Sequence, residues 1–225
     1  MLSNPILRRI VLLGTPLTVA LDVAFLHPIL PGDVRTALFP VADLWLTLHV
    51  VQLVLFGLMG LALYLLLDGL SGPFAAVGRL AVAVFVVFYN AGDAVAGIAT
   101  GILARGAVDL PDGEQAAVAW AVTKLFSDPT KQLIFLIGTY AWTVGLLAAA
   151  VALYRAGAPR LPLVPLALAA VPVIDLFGVD HSPPFNPIAL ALFFVAALWL
   201  ELAGRKRAPA GSESSADRSP VPESG

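Results

Sequence analysis

The sequence predicts an all-α fold, a polytopic transmembrane bundle of six helices with both termini on the cytoplasmic side. Three observations predict it. Hydrophobic residues make up 59% of the 225-residue chain and charged residues 12%, with mean hydropathy +0.90, whereas a soluble domain is nearer one quarter charged because its surface must face water. The apolar residues gather in six stretches, most of them near the roughly 20 residues that a bilayer crossing takes. Lysines and arginines are twice as many on one side of those stretches as on the other.

The first stretch covers residues 7–26 and stops at His27-Pro28. Arg8-Arg9 precede it, as in a signal peptide, but no small-residue cleavage site follows, so a retained helix is expected. The second covers 41–67 and stops at Asp68-Gly69. The third covers 80–103, between Arg79 and Arg105-Gly106, and the fourth 132–154. The fifth, 161–177, is short and carries Pro162, Pro165 and Pro172, which makes it the weakest member. The sixth covers 187–202 and ends at Gly204-Arg205-Lys206-Arg207.

Orientation follows from the flanking charges. With the N-terminus in the cytoplasm, the inner side holds Arg8, Arg9, Arg79, Arg155, Arg160, Arg205, Lys206 and Arg207, and the outer side only Arg35, Arg105, Lys124 and Lys131. Residues 1–204 thus form the membrane domain. Residues 205–225 are rich in Ser, Pro and acids and read as a disordered cytoplasmic tail. The outer loop 106–131 is expected to hold a short helix over 114–126. Asp112 would cap it, and Ala117, Trp120, Ala121 and Leu125 would share the face resting on the membrane interface. The two halves share no repeated motif.

Several chemistries are excluded. The chain has no cysteine, so disulfides, thiolate metal sites and cysteine nucleophiles are ruled out. A net charge of −2 argues against nucleic-acid partners. There is no phosphate-cradling loop, no G-x-S-x-G elbow and no series of basic residues within a span.

What remains is a set of polar residues inside apolar stretches, where a central charge costs at least about 2.5–3.5 kcal/mol. Asp93 is the clearest, near the middle of the third span. Tyr89, Asp93, Ala96 and Thr100 fall on one helical face with Asn90 beside them. Gly97 and Gly101 form a G-x-x-x-G that permits close packing. The second span sets Trp45, His49, Gln52 and Phe56 on one face, and the first sets Thr15, Thr18 and Asp22 along a stripe. Asp93, His49, Tyr89, Gln52, Asn90 and Thr100 are therefore the candidates for binding a ligand or proton.

All three histidines of the sequence, His27, His49 and His181, fall toward the outer side, as do Asp22, Asp43, Asp175 and Asp180. His27, His49 and His181 with Asp22 and Asp43 are the candidate ligands for a divalent metal, since imidazole and carboxylate suit Zn²⁺, Cu²⁺ or Fe²⁺. Their spacing is not diagnostic, because each histidine comes from a different segment.

The segments ADLWLTLHVVQ, FYNAGDAVAGIATGILA and DHSPPFNP resemble those of an uncharacterised family of bacterial six-span membrane proteins. The shared patterns are W-x-x-x-H, F-Y-x-x-x-[DE]-x-x-x-G-I-A-T-G and H-x-P-P-F, met here by Trp45, His49, Asp93, Gly97, Gly101 and His181. The resemblance spans most of residues 1–200 and implies the same architecture, but no activity.

The residues leave three functions open. One is a structural or accessory membrane protein whose polar groups specify helix packing, which is the reading the sequence favours. Another is a binding or transport protein for a small solute or proton, with a polar pocket opening outward and lined by Asp93, His49, Tyr89 and Gln52. The last is an intramembrane metal-dependent hydrolase using the three histidines, with a carboxylate activating bound water. The expected setting is the cell membrane. Expected partners are the lipid bilayer, a small-molecule ligand, and a second copy or another membrane protein.

Overall fold

A computed structural model of the chain describes residues 4–30, 32–170 and 185–205, and every regular element among them is helical. The helices are α1 (Pro5–Leu26), α2 (Val34–Leu66), α3 (Pro73–Ala107), α4 (Asp112–Ser127), α5 (Pro129–Arg155), α6 (Leu163–Leu168) and α7 (Phe185–Arg205). Five of them, α1, α2, α3, α5 and α7, are long and apolar enough to cross a membrane. The protein is thus an all-α bundle of membrane-length helices.

The helix ends show what hydropathy alone overlooks. The third stretch begins at Pro73, not at residue 80, so Arg79 lies inside α3. Gly72, with φ +97°, turns the chain, and Pro73 supplies a preset φ at the first helical position. The Arg79 guanidinium donates to the carbonyls of Leu67 (2.8 Å) and Leu70 (2.6 Å), in the turn that follows α2. The second stretch also starts early, through short helical turns at Val34–Ala37 and Phe39–Val41. The described part of the fifth stretch yields only the six-residue α6 between Pro162 and Ala169, and residues 171–177 lie outside the described residues. So do Asp175, Asp180, His181 and residues 206–225 of the predicted tail.

The loop helix α4 corrects one expectation. Asp112 is its first helical residue and not its cap, and Pro111 precedes it without a side-chain hydrogen bond. The Asp112 carboxylate instead pairs with Arg35 at 2.9 Å. The buried face holds Ala119 and Val122, which pack with Leu38, Phe39, Trp45, Ala104 and Ala107, while Trp120 points outward beneath the Lys124 ammonium. Ala119 and Val122 are small enough to sit against Ala104 and Ala107 of α3.

Three wide π-helical turns interrupt the long helices, at Ile10–Gly14, Asp22–Leu26 and Ala94–Ala99. Such turns shift the residues that follow relative to a 3.6-residue pattern. Within the regular segment Thr15–Leu21, residues seven apart superpose after two turns. Thr15 and Asp22 are accordingly buried, but Thr18 is exposed and leaves the expected stripe.

Glycines let α3 and α5 pack closely. A Cβ on Gly138 would stand 2.5 Å from the Tyr89 backbone nitrogen, and one on Gly92 would meet the Phe135 ring at 2.6 Å. Helices in lipid approach in this way, through small residues, because no hydrophobic effect presses them together. One end of the bundle gathers the arginines. Arg8 of α1 pairs with Glu201 of α7 and donates to the Leu65 carbonyl at the end of α2 (3.2 Å), while the Arg155 guanidinium lies 4.6 Å from the Phe74 ring centroid. The opposite end holds His27, the chain leading to α2, α4 and the start of α5.

Candidate functional site

At that opposite end, the face of α2 turned to the core carries Trp45, His49, Gln52 and Phe56, all buried, as their spacing predicts. The His49 Nδ1 lies 2.7 Å from the Trp45 carbonyl, one turn back. With Nδ1–H donating to that carbonyl, the neutral ring presents Nε2 as its acceptor. The Trp45 indole N–H donates to the Gly97 carbonyl (3.0 Å) and to the Thr100 hydroxyl (3.3 Å), and the hydroxyl itself donates to the Ala96 carbonyl. These bonds satisfy carbonyls in the turn where α3 widens.

Gly97 is the reason the two helices can meet. His49 occupies the space where any side chain at position 97 would stand, with its Cδ2 only 1.9 Å from a Cβ placed there. Gly101 gives the same clearance to Leu46, whose Cα would be 3.2 Å from a Cβ. The G-x-x-x-G therefore does pack helix on helix, and it faces α2.

α1 completes the cluster. Asp22 begins the second π turn, and its carboxylate accepts a 2.6 Å hydrogen bond from the Gln52 amide. Asp22 interacts electrostatically with His49 and with Asp93. Asp93, His49, Gln52 and Thr100 are completely enclosed. The Tyr89 ring stacks among Phe56, Phe85 and Phe135, with centroids 4.7–5.1 Å apart, which assigns its ring to the aromatic packing between α2, α3 and α5. The Asn90 Oδ1, Gln52 Oε1 and the hydroxyls of Thr139 and Thr143 are buried with no hydrogen-bond partner among the described residues.

Above this cluster lies a cavity of about 510 Å³. His27, Trp45 and His49 form one wall, Ala96 joins it from α3, and Phe126, Lys131, Gln132 and Phe135 form the other. The His27 ring centroid lies 5.1 Å from that of Trp45 and 5.3 Å from that of His49, and the Trp45 and His49 centroids are 4.3 Å apart. Of the residues expected to line a pocket, His49 does. Asp22, Asp93, Gln52 and Tyr89 lie outside its lining.

The metal candidates separate. His27 and His49 come together, whereas Asp43 is exposed in the first turn of α2's long segment. His181 lies outside the described residues. Among the described residues, no group of three or more His, Asp or Glu is placed to hold a metal ion.

Sequence reasoning missed Lys131, Phe126 and Phe135 as cavity residues. Lys131 entered only as a loop charge, yet Asp128-Pro129 is a helix-start signal that places it in the first turn of α5. The Asp128 carboxylate accepts from the backbone N–H of Thr130 (2.8 Å) and Lys131 (3.2 Å). These bonds, that from Lys131 first, hold its carboxyl below the ordinary carboxylate range.

No family model, curated protein or solved structure matches the chain.

Proposed function

We propose that the protein is a six-crossing membrane protein, with both termini in the cytoplasm, that binds a small solute in its outer cavity and exchanges a proton at Asp93. The single observation that carries this is a cavity linked through His49 to buried polar groups. A cavity large enough for a small molecule is walled by His27 and His49, and His49 interacts with the buried Asp22, which in turn meets Gln52 and Asp93. Cavities of about 300–1,000 Å³ with a few convergent polar groups are the usual form of a ligand site. Ionisable groups inside a span face the bundle interior and mark ion or proton paths. A purely structural role accounts for the hydrogen bonds but not for the cavity above them.

The crossing number is supported by the Arg8–Glu201 pair. It brings the starts of α1 and the end of α7 to one end of the bundle, which calls for an even number of crossings. α5 ends beside Phe74 at the same end, as the six-crossing reading requires. The arginine-rich end is the cytoplasmic one.

Infrared difference spectroscopy of the protein in nanodiscs tests the proton reading. Changing the pH should alter a carboxylic C=O band that Asp93→Asn removes while the helical amide bands persist. A difference spectrum that is the same in wild type and Asp93→Asn would leave Asp93 a packing residue and favour the structural reading.

A further inference from the structure

We propose that the enclosed polar group between α1, α2 and α3 binds an alkali cation, Na⁺ or K⁺, with the Asp22 carboxylate and the Gln52 side-chain oxygen as its ligands. The proposal stands on this group alone and needs neither the solute nor the proton reading.

The Gln52 amide nitrogen donates to the Asp22 carboxylate at 2.6 Å. By covalent geometry the oxygen of the same amide then lies within about 5 Å of that carboxylate. Gln52 is completely enclosed, and this oxygen has no hydrogen-bond partner among the described residues. A buried amide oxygen is costly to leave without a positive group facing it. Helix register adds a second carboxyl. Gly97 of α3 receives the His49 ring and Gly60 of α2 receives Val86. These contacts run α2 and α3 antiparallel, with Gln52 level with Asp93 and Ala94. Asp93, likewise enclosed, interacts electrostatically with Asp22, which makes the setting more negative whenever both are ionised. Asp22 opens one π turn and Asp93 immediately precedes another, and such turns collect at functional sites.

Charge and donor type set the ion. The Gln52 N–H satisfies a carboxylate oxygen but leaves its charge in place, and among the described residues no lysine or arginine pairs with Asp22. A charge inside a span calls for an opposite one. Oxygen donors select a hard cation over the transition metals. One carboxylate ligand and one neutral oxygen suit a single positive charge, whereas Ca²⁺ takes about six to eight oxygens and Mg²⁺ keeps its waters. His49 is the competing neutraliser, since it interacts with Asp22 and a protonated ring would replace the ion. The way in is the outer cavity. Asp22 and His27 bracket one π turn, closed by the bond from the His27 N–H to the Asp22 carbonyl at 3.0 Å, and His27 lines the cavity.

The test measures binding of ²²Na⁺, and of ⁸⁶Rb⁺ in place of K⁺, to the full chain in phosphatidylcholine nanodiscs by scintillation proximity, with choline chloride holding the ionic strength. Saturable binding is expected, and whichever tracer shows it identifies the ion. The same ion should raise Tm, because it binds the folded state. Asp22→Asn keeps an acceptor for the Gln52 amide and removes only the charge. It should stay folded, weaken binding at least about tenfold and lose the Tm rise. Asp43→Asn, at an exposed carboxylate, should bind as wild type does. No saturable binding of either tracer to wild type would overturn the proposal, and is the result that a charged His49 or a protonated Asp22 would give. Binding that Asp22→Asn retains would overturn the assigned ligands, and displacement by micromolar Ca²⁺ would overturn the ion class. The Asp93 infrared band enters none of these results, so either reading can fail alone.

Discussion

The His49 ring lies so close to Gly97 that a Cβ on that glycine would stand 1.9 Å from the ring's Cδ2. One residue from α2 thus fills the space that the absence of a side chain on α3 provides. The fit also holds Trp45, whose indole N–H reaches the Gly97 carbonyl.

Gly97→Ala should therefore displace His49 and Trp45 and destabilise the protein by about 1–3 kcal/mol or more, the usual cost of overpacking. Adding His49→Ala should recover part of that loss, since it removes the ring that the new methyl meets. Equilibrium unfolding in mixed micelles measures both. A Gly97→Ala protein as stable as wild type would contradict the contact.

The Asp22–Gln52 bond spans α1 and α2 at 2.6 Å inside the bundle. Gln52→Leu leaves the Asp22 oxygen without that donor, and a loss of about 1–3 kcal/mol is expected. Asp22→Leu combined with Gln52→Leu should be milder than the single change, because both polar groups are then gone. If the two losses simply add, the residues do not act as a pair.

The chain's lack of cysteine makes its topology directly measurable. Ser71→Cys and Ala156→Cys lie in exposed turns at the arginine-rich end, and Gly113→Cys lies at the opposite end. In intact cells a membrane-impermeant maleimide should label Gly113→Cys alone. After permeabilisation it should label all three. Labelling of Ser71→Cys from outside would invert the orientation.

Asp128 opens α5 through its two backbone hydrogen bonds, which hold its carboxyl below the ordinary carboxylate range. A carboxyl with a lowered folded pKa stabilises the protein above its unfolded value, and that contribution disappears as the pH falls through the folded value. Asp128→Ala should accordingly lower Tm at pH 7, and the gap to wild type should narrow below about pH 4. A gap independent of pH would mean that the carboxylate charge has no part in starting the helix.

The membrane-length helices and the buried face of α2 were legible because apolar length and the 3.6-residue period are local properties. Trp45, His49, Gln52 and Phe56 were found together for that reason. Thr18 was misplaced, since partner helices choose which polar face of a helix they cover. Asp43 and Asp22 were equal candidates in sequence, yet one is exposed and the other enclosed. Only the rotation of each helix against its neighbours separates them. Lys131 was overlooked because a loop charge and a cavity charge look the same until the helix start beside it is placed.

By itself the sequence determined the solvent this chain is made for, since 59% hydrophobic residues in long runs leave little polar surface to face water. It also determined which polar groups stand inside those runs. The tertiary structure decided which of them meet. Gly97 admits His49, the π turn from Asp22 to Leu26 carries the chain to His27, and the start of α5 brings Lys131 across from both. None of these is a periodic signal. Each depends on contacts between residues far apart in the chain, where close packing and not local pattern selects the arrangement.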